Sequence, residues 1–273
     1  MAETRTRRAI AENYQAARGA GDAAAMRRFQ NEEACLVLLA VLERLAADQS
    51  SFIHEVALKG GILMAGELRS PRVSADIDAT GGRQRRIEPD RIAEELRRAG
   101  REFNVRQDGE ADRTRGGTIV HIRFDSLTDA GTAKLEASVR EDPVFAVRDA
   151  RFDVAGLGIA PFTIPALAEV ELVAEKLRAL AQRAQPRDLF DLRLYLVDSG
   201  WHLDPAQLRT AVEAKLAITR YKRWRSNLWR GNLDEIETTY EATMASWIDP
   251  KVLPPFDEAV RDIARRLREL RLD

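Results

Sequence analysis

Two short stretches decide how this chain is read: Val56-Ala57-Leu58-Lys59-Gly60-Gly61, then Arg72-Val73-Ser74-Ala75-Asp76-Ile77-Asp78. A short apolar run stops at a glycine pair. Ile62 to Leu68 reads as two helical turns, and Ser70-Pro71-Arg72 as a turn. Ser74 to Thr80 then reads as a strand. Alternate strand residues share a face, so Asp76 and Asp78 project together while Ile77 turns to the core. Two adjacent carboxylates repel unless a cation neutralises them. Hard oxygen ligands of this kind suit magnesium. A glycine pair at a strand-to-helix junction lets backbone amides approach a phosphate, and the helix N-terminus adds favourable partial charge. Either feature alone has a bland reading, as surface charge or a tight turn. The order strand, glycine pair, helix, turn, acidic strand is rarer than either.

Working outward, residues 89–99 form an amphipathic helix with Pro89 in its first turn and Gly100 at its end. Phe103–Arg106 and Thr118–Phe124 alternate like a hairpin joined by a polar turn from Asp108 to Gly117. In the strand Ala133–Val139, Leu135, Ala137 and Val139 share one face, and Lys134, Glu136 and Ser138 the other. If this strand neighbours the acidic one, Glu136 faces Asp76 and Asp78. Three carboxylates holding two magnesium ions are what an in-line nucleotidyl transfer needs. Upstream, residues 1–48 read as helical, broken at Gly19-Ala20-Gly21-Asp22. The run Glu32–Leu45 is apolar on most faces, as in a helix buried against a sheet. After Pro165 strand signals almost vanish, and helices are expected near 205–218, 233–246 and 256–271. The expected organisation is a mixed domain over 1–165 and a helical domain over 166–273.

The helix opening at Pro186 is apolar on two sides and carries a strip of Asp188, Asp191, Tyr195 and Asp198. Acids on a buried helix must face a cleft, a cation or a basic partner, although Asp188 also suits a helix first turn. Lys176, at the edge of the apolar face of the preceding helix, can snorkel to water or hold a triphosphate as a point charge. From Lys215 to Arg230 six basic residues occur with no acidic one, interleaved with Tyr221, Trp224 and Trp229. That pattern suits RNA backbone and unpaired bases. A solvated helix face with core-packed tryptophans reads equally well.

Composition narrows the classes. The chain has 273 residues, with 43 Lys+Arg against 44 Asp+Glu and a formal net charge of −1. This argues against a uniformly basic nucleic-acid coat but leaves room for a local patch. No apolar run approaches the ~18 residues of a membrane span. The N-terminal residues have no apolar core behind them, so no secretory signal is expected. One cysteine, Cys35, and three histidines leave no disulfide and little scope for a Cys- or His-based metal site. A reducing, cytoplasmic setting is expected.

Four blocks in order resemble the AbiEii/AbiGii nucleotidyltransferase toxins of the DNA-polymerase-beta-like superfamily. They are Ala57–Gly61, Arg72–Asp78, Ala174-Glu175-Lys176-Leu177-Arg178-Ala179-Leu180 and Arg187-Asp188-Leu189-Phe190-Asp191-Leu192. The resemblance implies an α+β fold, with a mixed sheet flanked by helices and a helical C-terminal domain that completes the active site. It places Asp76 and Asp78 on the metals, Glu136 as a third metal carboxylate, and Lys176, Asp191 and Asp188 with them in catalysis. Lys59, Gly60, Gly61, Arg72, Ser74 and Lys176 would contact the nucleotide. It further implies Mg2+ at a two-metal site, NTP as co-substrate, tRNA as the RNA acceptor and an antitoxin resembling AbiEi. Two other readings stay open: transfer to a protein or small-molecule hydroxyl, and a non-catalytic binding protein on this fold. Many relatives carry a small hydroxyl residue after the glycines, where this chain has Ile62.

Overall fold

The computed structural model describes residues 2–83 and 86–272, which divide into two compact units. The first comprises Met1–Pro143, Val147–Ala166 and Ala245–Asp249; the second comprises Val144–Ala146, Leu167–Met244 and Pro250–Asp273.

The first unit opens with α1 (Ala2–Ala20) and α2 (Ala23–Ala47). Gly21 is left-handed between them, and Asp22 caps α2 by accepting the Ala25 N–H at 2.9 Å. Every residue from Ala34 to Leu42 is buried, which explains why that run shows no polar face. Cys35 lies within it, and burial pushes its thiol up to about 11.

Then follow β1 (Ala57–Lys59), α3 (Gly60–Glu67), β2 (Asp76–Thr80) and α4 (Pro89–Ala99). After them come β3 (Arg106–Gln107), β4 (Asp112–Thr114), β5 (Gly117–Arg123) and β6 (Thr132–Ser138). The unit's last strands are β7 (Arg148–Phe152) and β8 (Phe162–Ala166). Among the described residues they form one mixed sheet in the order β3-β5-β6-β2-β1-β8-β7, with β4 also on β5. Strands β2 and β6 are parallel neighbours, and β1 lies antiparallel on the other side of β2.

The sequence reading differs here in three places. The hairpin turn is tighter than expected, because β4 lies inside the supposed turn and pairs Thr114 with Gly117. Strand β7 carries Arg148, Asp149 and Arg151 in five residues, which hides its buried Ala150 and Phe152. Strand β8 contains Pro165, which demotes a strand reading. Only Ala166 of β8 pairs with β1, so most of β8 lacks a second ladder for the missing N–H to break.

The second unit holds α5 (Glu169–Gln182), α6 (Pro186–Arg193), α7 (Pro205–Ala217), α8 (Leu233–Met244) and α9 (Phe256–Glu269). A π turn over Leu194–Asp198 continues α6. Near its centre Lys215 is 1% exposed, and its ammonium lies 3.1 Å from both Glu171 and Glu175 carboxylates. Glu171 also accepts the N–H groups of Val144 and Phe145 at 3.0 and 3.1 Å. This buried charge is paired on several sides, as burial demands.

Candidate functional site

The glycine pair sits where β1 passes into α3. Gly60 has φ +77, a left-handed turn that glycine alone enters without strain. A Cβ on Gly60 would lie 2.4 Å from Asp78 Oδ2, and one on Gly61 would lie 2.5 Å from Arg72 Nη2 and 2.6 Å from Ser74 Oγ. The backbone of the pair therefore rests directly on the acidic strand and its approach loop. The N-cap of α3 is Lys59, which makes no side-chain capping bond. The first amides of α3 are thus not satisfied by a cap side chain, a setting that favours an anion. Ile62 is fully buried and serves packing.

Arg72 and Ser74 belong to the loop ahead of β2. Arg72 is 3% exposed, and its Nη1 donates to the Val73 carbonyl at 3.1 Å. The Ser74 hydroxyl donates to the Asp76 carbonyl at 3.3 Å. The Val73 N–H donates to the carbonyl of Trp247 at 3.1 Å, and Asn31 Nδ2 donates to that of Ser246 at 2.8 Å. A segment far away in sequence thus braces the loop, and nothing in the local pattern signals it.

The parallel register sets Asp76 beside Lys134 and Asp78 beside Glu136. All four side chains share one face because each pair is spaced by two. The Lys134 ammonium lies 3.9 Å from Asp76 Oδ2 and 3.8 Å from Glu136 Oε2, and these three side chains are about one-third exposed. Lys134 is the participant that sequence reasoning left without a role, although the alternation that turns Glu136 toward the acids turns Lys134 there too. Among the described residues no three His, Cys, Asp or Glu side chains converge as a metal-holding group. The donor chemistry, carboxylate oxygens open to solvent, suits a hard divalent cation.

In the second unit the acidic strip of α6 meets a cation. Lys176 Nζ lies 3.1 Å from Asp188 Oδ1 and 2.7 Å from Asp191 Oδ2, and both carboxylates are fully buried. Arg183 adds two bonds to Asp188, at 2.7 and 3.1 Å. Burial pushes the Asp188 carboxyl up, but Lys176 and Arg183 outweigh it and hold it down to about 2. The strip ends differently: Tyr195 stacks on Trp201, and Asp198 pairs with Arg193 at 2.7 Å.

The basic stretch 215–230 is partly turned inward. Lys215 is committed to the buried pairs above and leaves the nucleic-acid reading. Trp229 is fully buried, Trp224 Nε1 donates to the Leu272 carbonyl at 2.8 Å, and the Tyr221 hydroxyl donates to the Ala181 carbonyl. Arg220, Lys222, Arg223, Arg225 and Arg230 stay exposed.

The overall fold has counterparts among solved structures. MenT4, a nucleotidyltransferase toxin from Mycobacterium tuberculosis, superposes with TM-score 0.56 at 18% identity, covering 97% of this chain and 96% of its own. JHP933 from Helicobacter pylori superposes with TM-score 0.56 at 16% identity, over 86% and 88% of the two chains. Among curated proteins none matches in sequence. Residues 41–265 match the family model described as nucleotidyl transferase AbiEii toxin, type IV toxin–antitoxin system, and the chain belongs to that family. It is a nucleotidyltransferase toxin, and membership implies a nucleotide substrate and an antitoxin partner. None of the helices described is long and apolar enough to cross a membrane.

Proposed function

We propose that the enzyme is magnesium-dependent and transfers a nucleotide from an NTP to an RNA 3′ end, the acceptor end of tRNA, thereby blocking aminoacylation. The register that sets Asp78 beside Glu136 and against Gly60 carries this reading. Asp76, Asp78 and Glu136 would hold the metal, whose bound charge would stabilise the triphosphate and the attacking oxygen. The amides of Gly60 and Gly61 would cradle the phosphates, with Lys59 at the turn and Arg72 and Ser74 keeping the loop in place. The 3′ hydroxyl oxygen bonds to the α-phosphorus, the bond to the β-phosphate oxygen breaks, and pyrophosphate leaves. The hydroxyl proton passes to a carboxylate, Asp78 or Glu136. Lys176, oriented by Asp188 and Asp191, would serve the triphosphate as a point charge. The exposed cations between Arg220 and Arg230 would help to hold RNA, and the antitoxin would resemble AbiEi.

The inward turn of Lys215 and the three aromatics supports a second reading, in which the acceptor is a protein or small-molecule hydroxyl. One experiment separates the two. The protein is incubated with total tRNA, magnesium and each α-labelled NTP in turn, beside an Asp76→Ala control. Label on tRNA from one NTP, lost in the control, is expected. Label on protein alone supports the second reading, and label nowhere refutes the tRNA acceptor.

A further inference from the structure

Another surface of the first unit lies at the end of the same sheet, beyond the acids. Three loops interlock there. The Gly81 N–H donates to the Ser138 carbonyl at 3.0 Å, and the Val139 N–H to the Gly116 carbonyl at 2.8 Å. The Thr80 hydroxyl lies 3.2 Å from the Ser138 carbonyl and 3.3 Å from that of Glu141. The Arg83 N–H donates to Asp142 Oδ1 at 2.7 Å, and Arg86 Nη2 donates to the Thr114 carbonyl at 2.9 Å.

These loops present Arg83, Arg86, Arg113, Arg115 and Arg140, all exposed. Two are offset by acids: Arg113 pairs with Glu88, and Arg83 lies 4.0 Å from Asp142. Asp112, near the hairpin tip, faces His121 at 3.9 Å. The other three guanidiniums keep their charge. Arg86 gives one N–H to a carbonyl, which does not neutralise it. Arg115 and Arg140 make no side-chain hydrogen bond or ion pair among the described residues. Arg140 lies against the hairpin tip, where a Cβ on Gly116 would stand 2.3 Å from its Nε.

Their place relative to the acids gives the surface a purpose. β2 and β6 run parallel, and the loops begin just past the pair Thr80↔Ser138. Asp78 precedes Gly81 by three positions, which is ~10 Å along a strand. That distance is about three stacked nucleotides at ~3.4 Å of rise each. We infer that Arg86, Arg115 and Arg140 form a phosphate-binding surface that holds the acceptor RNA a few nucleotides back from its reacting 3′ end. The inference rests on the RNA-acceptor reading and assigns that acceptor its contact surface. An acidic protein fits less well, because protein interfaces have an apolar core. The exposed large apolar residues among those described are Leu127, Val147, Ile218 and Val252, and none lies on these loops. Guanidinium forks grip phosphate oxygens without apolar support.

The test is equilibrium binding of labelled, unfractionated tRNA in EDTA, without nucleotide, across a range of salt. The full chain is compared with an Arg86→Ala/Arg115→Ala/Arg140→Ala variant and the matching triple Lys variant. The Ala variant should bind about 10- to 100-fold more weakly near ~0.1 M salt, with the log–log salt slope reduced by about 2 to 3. Its thermal midpoint should be unchanged, and the Lys variant should recover much of the affinity. Equal affinity and slope in the wild type and the Ala variant would overturn the surface while leaving the RNA acceptor standing. A wild type that binds no tRNA would overturn the RNA acceptor and the surface together. Polyglutamate bound by that wild type but not by the Ala variant would reassign the arginines to a protein partner.

Discussion

At Gly60 a positive φ and a carboxylate 2.4 Å from the missing Cβ coincide. Gly60→Ala would add ~1–2 kcal/mol of backbone strain and push Asp78 aside. Nucleotide transfer should fall at least about tenfold while the protein still melts cooperatively; single-turnover labelling beside a melt checks both. Lys134 poses the opposite case, a cation set between acids. Taking a unit charge from within ~4 Å of two carboxylates raises their attraction for a cation. Lys134→Met should bind Mn2+ alone about tenfold more tightly, read by electron paramagnetic resonance without nucleotide. Unchanged affinity would mean that Lys134 does not screen the acids.

Among the helices, α5 and α7 are joined by one ammonium. Lys215→Met would leave Glu171 and Glu175 without it, and breaking a buried pair from one side costs about 3–5 kcal/mol. Arg223→Ala, in the same basic stretch but exposed, should change stability by less than about 0.5 kcal/mol. Denaturant melts of the two variants should differ accordingly. Equal melts would show that Lys215 is not the paired core residue described here. The same pairing explains why a basic run in sequence need not be a basic surface. Periodicity fixes the face of a helix, but only the opposing element says whether carboxylates or water meet it.

Across the whole molecule, acid should be a weak point. Each unit has a buried carboxylate held below its ordinary range. Burial pushes Glu33 up, but bonds from Ser126, Thr128, Leu127 and Arg7 together bring it lower. Asp188 is held down to about 2 by Lys176 and Arg183. A group with a lowered folded pKa stabilises the native state above its unfolded value, and that stabilisation is lost as pH falls through the folded one. Stability should therefore decline between about pH 4 and pH 2. Asp188→Asn should melt earlier at neutral pH and show a shallower decline, as followed by circular dichroism. A decline as steep as in the wild type would remove Asp188 from the acid response.

Much of this was legible in the chain itself. Alternation put Asp76 with Asp78 and Lys134 with Glu136, because side chains in a strand repeat every two residues whatever surrounds them. The glycine pair marked a strand-to-helix junction, and the apolar run of α2 announced a helix buried against a sheet. Tertiary structure alone decided that β2 and β6 are neighbours in the register that sets Asp78 beside Glu136, since strand pairing depends on residues nearly 60 positions apart. It alone brought Trp247 to the loop of Arg72, turned Lys215 inward and gathered Arg86, Arg115 and Arg140 at one end of the sheet. Local sequence carries periodicity and turn chemistry. Which charge meets which depends on long-range packing, where a buried ammonium is stable only if distant carboxylates arrive to meet it.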